Sequence, residues 1–472
     1  MKNLPTGKGL IHDVRVTVAV LSIVLGLGAA VPAAAQCPGD IIPTGNVNGN
    51  DLAELLATWG TTGQGVVETD LNGDGIVNGA DLAVVLSGWG PCSPVITSIF
   101  PNTGTTLGGT PITITGNYLS GPATVTLGGL PATNVHVLST TTITALTPAA
   151  PAGAVEVLVL VGSNPITVSN GFTFADLSGN VQAWGAGTAN TGNPNYGQSI
   201  PPTDLGPCKA IATGHWHTIA LRKDGSVRAW GAGVTNTGTS DNYGQSIVPA
   251  DLGPCTAIAG GGLHTIALRT DGAVRAWGAG ITNTGSPNYG QSIVPANLGP
   301  CTAIAGGASH TIALRTDGTV RAWGLNNYGQ SIVPADLGPC TAIAAGDWHN
   351  VAVRNDGSVR AWGANFYDQS SVPADLGPCI AVDGGYLHTI SLAIGGSVRA
   401  WGYNGNGECS IPSDLGPCTA VAAGDRFSVA LCADGTVRAW GRNQYGQCNI
   451  PANLGPCSAI AGGVFHTVAI QR

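Results

Sequence analysis

Most apolar residues of the chain fall in short runs that are typical of strands, and long helical patterns are scarce. Within the segment 93–175, Ile112, Ile114, Val125 and Leu127 alternate with threonines. A period of two places every second side chain on the same face of a strand, so we predict half-buried strands there. The segment therefore reads as a β-sandwich domain.

After residue 175 the strand pattern becomes a repeat. Trp-Gly and the string LGPC each occur seven times, at spacings of 46 or 47 residues in the first copies and 39 in the later ones. One copy reads CTAIAGGASHTIALRTDGTVRAWGLNNYGQSIVPADLGP, which contains three or four short strands and a hairpin signal at Asp317-Gly318. Units of this kind form a closed β-propeller or an open solenoid.

The two ends of the repeat segment favour closure. The first copy begins at its hairpin and contains the strand from Val181 to Trp184 but no strand before it. The missing strand, Phe465 to Ile470, stands at the other end of the segment. Pairing the two would cover edges that are otherwise exposed, so we predict a seven-bladed propeller over 176–472.

Residues 37–92 contain a different repeat, with a period of 30. Each copy is a polar loop followed by a short helical pattern that ends in Trp-Gly. Apolar residues recur at i, i+3, i+4 and i+7, and we expect the two stripes to pack on each other. The stripes consist of Leu52, Leu55, Leu56 and Trp59, and of Leu82, Val85, Leu86 and Trp89.

The second loop of this segment has the composition of a calcium site. Calcium takes six to eight oxygen ligands around a sharp turn, and the string DLNGDGIVNGAD supplies them at alternating positions, with Gly75 at the turn. The alternative is an Asx-rich turn that only caps the following helix. The predicted ligands are Asp70, Asn72, Asp74, the carbonyl of Ile76, Asn78 and Asp81.

The first loop is degenerate in the same register. Asp40, Asn46, Asn48 and Asp51 remain, but Ile42 and Thr44 replace two ligands. We therefore expect a second, weaker site there at most. Cys37 and Cys92 bracket the segment, and a disulfide between them would close it.

Composition and charge narrow the class of protein. Charged residues make up 9% of 472 residues, and the formal net charge is −8. Nucleic-acid binding needs a basic stripe, so we expect no nucleic-acid partner. Residues 1–35 read as a signal peptide, with early basic residues, an apolar run and a small-residue end at Ala33-Ala34-Ala35. The apolar run is short for a membrane span, so we expect a secreted or surface-attached mature chain.

Three segments resemble known families. The paired loop-helix units of 37–92 resemble the dockerin family, which implies an extracellular docking module and a possible cohesin-like partner. The positions that often carry recognition in that family are Gly49-Asn50 and Gly79-Ala80 here, which offer little side chain. The strings SIFPNTGTTLGGTPITITG and GFTF resemble the IPT/TIG family of immunoglobulin-like domains. The repeats of 176–472 resemble RCC1 repeats, particularly those of secreted bacterial propellers.

Several residue types recur in six or all seven copies of the repeat. The recurring histidines could form a metal ring or could tie each strand to a neighbouring turn, and we favour the structural role because Phe427 breaks the series. The seven LGPC cysteines should be free and buried, because equivalent positions on adjacent blades lie about 10 Å apart, too far for a disulfide. Arg before Ala-Trp-Gly is interpreted as a packing or ion-pair feature. Cys409, Cys432 and Cys448 are additional and remain unassigned.

Asymmetry between the copies points to a binding face. The first three carry insertions that each end in Asn-Tyr-Gly-Gln, and insertions in repeat proteins gather on one face. The alternative is that Asn-Tyr-Gly-Gln is only the turn of the repeat. The candidate partner-binding residues are Tyr196, Tyr243, Tyr289, Asn190, Asn236 and Asn283.

These features predict a mainly β chain: a signal peptide, a small helical dockerin-like calcium module, an immunoglobulin-like domain and a seven-bladed propeller. We expect a monomeric, non-catalytic protein whose propeller binds an extracellular protein or glycan, with calcium as the cofactor. The alternative is a component of a polysaccharide-degrading assembly recruited through the dockerin-like module. A third hypothesis is that the protein is a secreted enzyme inhibitor. A residue repeated in every blade is a poor catalytic candidate, because catalysis needs one asymmetric constellation.

Overall fold

A computed structural model describes residues 37, 39–42, 46–62, 69–106, 108–239 and 241–472. The predicted signal peptide lies outside the described residues. The chain divides into two compact units, 1–93 and 94–472. Within the described residues, no helix is both long and apolar enough to span a membrane.

The first unit is built on two short helices, α1 (Gly49–Ala57) and α2 (Gly79–Ser87). Each begins with a capping box: Asn48 accepts a hydrogen bond at the start of α1, and Asp51 accepts one back from the Asn48 amide. At the start of α2, Asn78 and Asp81 form the same pair of hydrogen bonds. A two-residue strand, Asn46–Val47, pairs with Gly90–Pro91.

The expectation that both apolar stripes pack on each other is wrong for half of their members. Leu55 and Val85 are buried, as predicted. Leu52 and Leu82 are half-buried. The remaining four side chains are 45–55% exposed: Leu56, Leu86, Trp59 and Trp89. The helices end two residues before the tryptophans, and each has only two turns, so one i, i+4 row faces inward and the rest of the stripe faces out.

Residues 95–175 form a β-sandwich, as the alternation predicts. One sheet has the order Thr103–Thr105, Asn164–Ala175, Gly153–Val161, Ala123–Leu127 and Leu130–Pro131. The other has the order Val95–Phe100, Pro111–Asn117, Thr142–Leu146 and Thr133–Ser139. Ile112, Ile114, Val125 and Leu127 are buried in the shared core, where the rings of Phe172 and Phe174 also meet.

The repeat segment forms seven three-stranded antiparallel sheets, which are the blades of a propeller. Blades 1 to 7 are numbered by their inner strands, which begin at Cys208, Cys255, Cys301, Cys340, Cys379, Cys418 and Cys457. The inner strands are Cys208–Thr213, Cys255–Gly260, Cys301–Gly306, Cys340–Ala345, Cys379–Gly384, Cys418–Ala423 and Cys457–Gly462. The middle strands are His217–Arg222, His264–Arg269, His310–Arg315, His349–Arg354, His388–Ala393, Phe427–Cys432 and His466–Gln471. The outer strands are Val227–Gly231, Val274–Gly278, Val320–Gly324, Val359–Gly363, Val398–Gly402, Val437–Gly441 and, for blade 7, Asn180–Gly185.

The predicted closure is confirmed. Asn180–Gly185 pairs antiparallel with His466–Gln471 over six residues, so blade 7 contains strands from both ends of the segment. Thr213 Oγ1 of blade 1 donates to the Gly462 carbonyl of blade 7 at 2.8 Å. The ring is therefore closed by hydrogen bonds, and a solenoid is excluded.

Candidate functional site

The predicted calcium loop is folded as a closed turn. Asp70 accepts hydrogen bonds from the amides of Asp74 and Gly75, at 3.2 and 2.7 Å, and Asn72 accepts one from Asp74 at 3.0 Å. Gly75 has a φ of +87°, a conformation that glycine adopts without strain. The loop thus has the sharp turn that a calcium site needs, and its side chains supply three carboxylates and two amides.

Asp81, the last residue of this loop, is fully buried. Its two oxygens accept hydrogen bonds from the amides of Leu71, Asn72 and Asn78, at 2.8 to 3.2 Å. Among the described residues, the only three metal-ligating groups of His, Cys, Asp and Glu that lie within 4.8 Å of one another are Cys37, Asp40 and Cys92. The loop therefore offers the oxygen ligands that calcium prefers. Its carboxylates are held apart because they accept hydrogen bonds from backbone amides.

The first loop has the same kind of hydrogen bonds around its last aspartate but offers fewer side chains that could bind a metal. Asp51 accepts hydrogen bonds from the amides of Ile42 and Asn48, at 2.9 and 2.8 Å. Cys37 and Cys92 are joined by a disulfide with their Cα atoms 5.5 Å apart, and Asp40 is buried 3.7 Å from Cys92 Sγ. Disulfide sulfurs are not thiolates, so this cluster does not make a cysteine metal site.

The repeated histidines hold adjacent blades together. The Nε2 atom of His217 lies 2.9 Å from Thr265 Oγ1 in the middle strand of the next blade, and Thr265 donates its own proton to the Gln245 carbonyl. The hydroxyl must therefore accept from Nε2–H, which leaves Nδ1 as an unprotonated acceptor; this buried atom has no hydrogen-bond partner. The expectation that each histidine ties its strand to a neighbouring turn is therefore wrong in this detail, because the partner lies on the middle strand of the next blade.

The other histidines repeat this bridge, with Asn350 or Ser428 in place of threonine in two cases. The pairs are His264 with Thr311, His310 with Asn350, His349 with Thr389, His388 with Ser428 and His466 with Thr218. Phe427 interrupts the series in blade 6. Burial lowers the pKa of each bridging histidine, to about 3 or 4.

The repeated cysteines, tryptophans and arginines are also structural. The seven LGPC thiols are free and buried, as predicted. Each Trp-Gly indole donates its Nε1–H to a buried carbonyl, as Trp323 does to Gln291 at 2.9 Å. Five of the arginines before Ala-Trp-Gly pair with exposed aspartates, as Arg438 does with Asp414 at 2.9 Å. Arg321 is the exception, because Asn297 stands where those five have the aspartate.

The asymmetric residues gather at one end of the propeller, which we call the mouth face. It carries the loops between inner and middle strands, around an axial cavity of about 290 Å³. In each loop, the residue after the glycine that follows the inner strand varies between blades, and only two blades share a residue type, aspartate. These residues are His215, Gly262, Ala308, Asp347, Tyr386, Asp425 and Val464. The position was missed in the sequence, although superimposing the seven copies would have exposed it.

Ionisable groups face each other across the mouth. His215 Nε2 of blade 1 lies 3.1 Å from Asp347 Oδ1 of blade 4. Burial disfavours the charged imidazole, but the carboxylates of Asp347, Asp425 and Asp241 together outweigh this, so the pKa of His215 lies above its usual value. Burial together with the nearby Asp347 charge raises the pKa of Asp425, which pairs with Arg442 at 3.2 Å.

Deeper in the cavity, Asp383 stands where the other six inner strands have alanine. Its carboxylate accepts hydrogen bonds from the amides of Gly384 and Ala423, both at 2.9 Å. Burial nevertheless raises the pKa of Asp383 to about 6. Asp383 is therefore an acidic residue of the cavity lining that the repeat does not require.

Aromatic side chains surround the mouth. Trp348 lies between Tyr328 and Tyr386, with ring centroids 5.8 and 5.1 Å away. The guanidinium of Arg426 stacks over Tyr386 at 5.3 Å. Phe366 is 57% exposed beside Tyr328. Partly exposed aromatic and arginine side chains are the types that dominate protein–protein interfaces.

The three insertions form small hairpins at the same end of the propeller, because each follows an outer strand that ends beside the mouth loops. The hairpins are Asn190–Gly192 with Asn195–Tyr196, Asn236–Thr239 with Asn242–Tyr243, and Asn283–Gly285 with Asn288–Tyr289. Asn190, Asn236 and Asn283 are exposed, whereas the tyrosines are half-buried.

The tyrosines serve the fold as well as the surface. Tyr196 donates to Asp241 of the next hairpin at 2.6 Å, and its ring lies 6.1 Å from that of Trp216. The Tyr196 amide donates to Gln198 Oε1, a bond that Tyr328 also makes to Gln330 without an insertion. Asn-Tyr-Gly-Gln is thus a turn of the repeat, and the insertions add the hairpins to it.

The opposite end of the propeller, the turn face, carries the hairpin turns between middle and outer strands. The β-sandwich borders this face. Clefts of about 360 and 500 Å³ are lined by residues of both, including Phe100, Lys223 and Cys432 in the first and Ile112 and Arg354 in the second. The mouth face is therefore the end of the propeller away from the β-sandwich.

Comparison with known families identifies two parts of the chain. Residues 94–175 match the IPT/TIG domain. Five segments match the regulator of chromosome condensation (RCC1) repeat: 208–245, 255–291, 301–330, 340–369 and 418–447. A search of curated proteins gave no match.

Solved structures show the same propeller fold at low sequence identity. Prp20p from Saccharomyces cerevisiae is 18% identical, covers 63% of this chain and 93% of its own, and has a TM-score of 0.53. Yeast RCC1 (Prp20) bound to Kap60 is 19% identical over 63% of this chain and 90% of its own, with a TM-score of 0.51. The chain thus contains an IPT/TIG domain followed by a β-propeller of RCC1 repeats.

Proposed function

We propose that this protein is a secreted, non-catalytic binding protein whose propeller holds a protein partner on its mouth face. The observation that carries the proposal is the position of the asymmetric residues. Residues shared by the blades build the ring, whereas side chains that differ between blades, His215, Asp347, Asp383 and Arg426, lie around one axial mouth.

The composition of this face suits a protein ligand. Trp348, Tyr386 and Phe366 supply rigid apolar area, and Arg426 and Asp347 supply charge at the centre of the face. Buried aromatic and arginine anchors contribute most of the binding energy in protein interfaces. Yeast Prp20p is described with binding properties to Gsp1p and histones, and yeast RCC1 as bound to Kap60. A protein partner for this chain is consistent with these precedents.

The test is affinity capture from the native secretome with the full mature chain as bait, followed by binding measurements on the recovered partner. Two variants on the mouth face, Asp347→Asn and Trp348→Ala, should each weaken binding about tenfold or more. The matched control is Asp251→Asn, because Asp251 is 73% exposed near the turn face.

The control should bind like the unchanged chain. Circular dichroism must show that all three variants keep the propeller fold. Equal binding by Asp347→Asn, Trp348→Ala and the unchanged chain would place the partner elsewhere and refute the proposal. Retained binding on shortening the three insertions to the 39-residue form would show that the hairpins are not part of the site.

A second proposed role is calcium-dependent docking through the dockerin-like unit. Asp70, Asn72, Asp74, Asn78, Asp81 and the Ile76 carbonyl would hold the ion, which would cross-link the loop to α2 by electrostatic attraction. The closed turn around Gly75 supports this role. The half-exposed Trp59 and Trp89 leave apolar surface on the same unit.

Titration calorimetry of the full chain tests this role. Calcium should bind to the unchanged chain, and the double variant Asp70→Asn with Asp74→Asn should bind at least tenfold more weakly. Asp375→Asn, an exposed aspartate of the propeller, is the matched control and should bind normally. Equal calcium binding by the double variant would exclude the loop as the site.

Recruitment into a polysaccharide-degrading assembly is the alternative within this second role. It requires a cohesin-like partner that binds the chain only with calcium. Pull-down from the secretome with and without a chelator distinguishes the two: recovery of glycan hydrolases that chelation abolishes would favour the assembly. Recovery of partners that depends on Asp347 and not on calcium would favour the mouth face.

A further inference from the structure

Blade 6 departs from the other blades at two positions of the same middle strand, Phe427–Cys432. At its first residue, phenylalanine replaces the histidine that bridges to the next blade. At its last residue, Cys432 lies directly opposite Cys418 of the inner strand. In the other blades the cysteine of the inner strand faces a residue without a thiol: Arg222, Arg269, Arg315, Arg354, Ala393 or Gln471.

The strand pairing places the two cysteines directly opposite each other. The Cys418 amide donates to Gly396, and the Cys432 amide donates to Thr436, both at 2.8 Å. A β-bulge follows Cys418 in this pairing. Cα atoms of residues that oppose each other in antiparallel strands lie about 4.5–5.5 Å apart, which falls within the range that a disulfide spans.

The two sulfurs also interact. Both cysteines are free thiols, and Cys418 is fully buried. Burial, together with the charge and hydrogen bond of the neighbouring Cys432, raises the pKa of the Cys418 thiol well above its usual value. A thiol–thiol contact of this kind needs little movement to become a covalent bond.

Cys432 has access to an oxidant. It is 9% exposed and lines the cleft of about 360 Å³ that the β-sandwich forms with the turn face. Lys209 and Lys223 line the same cleft. We therefore expect an anionic small disulfide to approach Cys432 first, because Cys418 is fully buried and does not line this cleft.

We propose that Cys418 and Cys432 form a disulfide when the protein meets a small-molecule or protein disulfide. The Cys432 sulfur attacks the oxidant's disulfide and releases one thiol, and the Cys418 sulfur then displaces the second. The two thiol protons and two electrons pass to the oxidant, which leaves as two thiols. The new bond ties the inner and middle strands of the blade that lacks the histidine bridge.

The experiment uses the full chain, reduced and then incubated with oxidised glutathione. Remaining thiols are alkylated under denaturing conditions, and tryptic peptides are measured by mass spectrometry. Cleavage after Arg399, Arg426 and Arg438 should yield peptides 400–426 and 427–438 joined by a disulfide. Fragment ions between Cys409 and Cys418 identify which cysteine of the first peptide is bonded.

Three variants sharpen the result. Cys432→Ser should abolish the link, and Cys255→Ser, which removes the equivalent cysteine of blade 2, should leave it intact. Ala393→Cys places a thiol opposite Cys379 in blade 5, in the same register, and should create a second disulfide within peptide 361–399. The melting temperature of the unchanged chain should rise by several degrees on oxidation, and that of Cys432→Ser should not.

The proposal is overturned if Cys418 and Cys432 both remain fully alkylated after oxidation while Cys37 and Cys92 are found as a disulfide. A link from Cys432 to any cysteine other than Cys418 would overturn it equally. Because these readouts involve no partner and no calcium, they are independent of the proposed binding function.

Discussion

The bridging histidines make the propeller sensitive to acid. All six are buried with a neutral imidazole that donates from Nε2, and burial lowers their pKa from 6.5 to about 3 or 4. Unfolded histidine titrates near 6.5, so between pH 6.5 and about 4 the unfolded chain binds more protons than the folded one. Stability is therefore complete above pH 6.5 and falls as the pH drops below it.

The magnitude follows from the pKa values. For each histidine that stays neutral in the fold, the free energy of unfolding falls by about 1.4 kcal/mol for every pH unit below the pKa of unfolded histidine. At pH 5 each histidine therefore costs about 2 kcal/mol, and the six together cost about 12 kcal/mol. Domains are stable by about 5–15 kcal/mol, so we predict that the propeller unfolds near pH 5.

Tryptophan fluorescence measures this transition, because the seven Trp-Gly indoles are buried in the blades. The matched variant is His349→Phe. Blade 6 shows that phenylalanine fits this position: the Phe427 ring lies against Gly424 as the His349 ring lies against Gly346. The variant removes one titrating group, so its acid midpoint should fall by a few tenths of a pH unit.

Two results would refute the reasoning. One is unfolding that begins only below pH 4, where carboxylates rather than histidines titrate. The other is a His349→Phe midpoint equal to that of the unchanged chain. Reversibility on return to pH 7 has to be shown first, since irreversible unfolding would measure a rate.

Three further predictions concern single contacts. Asp81→Ala removes a buried carboxylate that accepts three backbone amides and should destabilise the first unit by about 2–3 kcal/mol in urea unfolding, whereas an unchanged midpoint would contradict its capping role. Trp323→Phe removes the hydrogen bond to the Gln291 carbonyl, which Thr311 still serves, and should cost the propeller about 1 kcal/mol in the same assay. Asp414→Asn breaks an exposed ion pair and should leave the melting temperature unchanged at moderate salt, so a large drop would show that such pairs are structural.

The architecture of the repeat segment was predictable because each blade repeats the same signals. Seven copies of Trp-Gly fixed the number of blades, and the incomplete first copy indicated how the ring closes. Alternation also identified the sandwich core, where Ile112 and Val125 are buried. Local periodicity suffices where every copy agrees with the fold.

Other features depend on contacts that periodicity does not encode. The exposure of Trp59 and Trp89 follows from helices that end early, which the spacing of apolar residues did not reveal. The partner of each histidine lies in the next blade, 40 to 48 residues away for five of them and 248 residues away for His466, beyond any local pattern. His215 and Asp347 meet across the mouth from positions 132 residues apart, and only the closed ring brings them together.

Photo-crosslinking tests the central claim most directly. A benzoyl-phenylalanine is placed at Phe366 on the mouth face, and in a second chain at Asp251 near the turn face. After irradiation with the captured partner, the mouth-face probe should form a crosslinked complex and the Asp251 probe should not. Crosslinking from Asp251 with none from Phe366 would contradict the account, because the partner would then occupy the wrong end of the propeller.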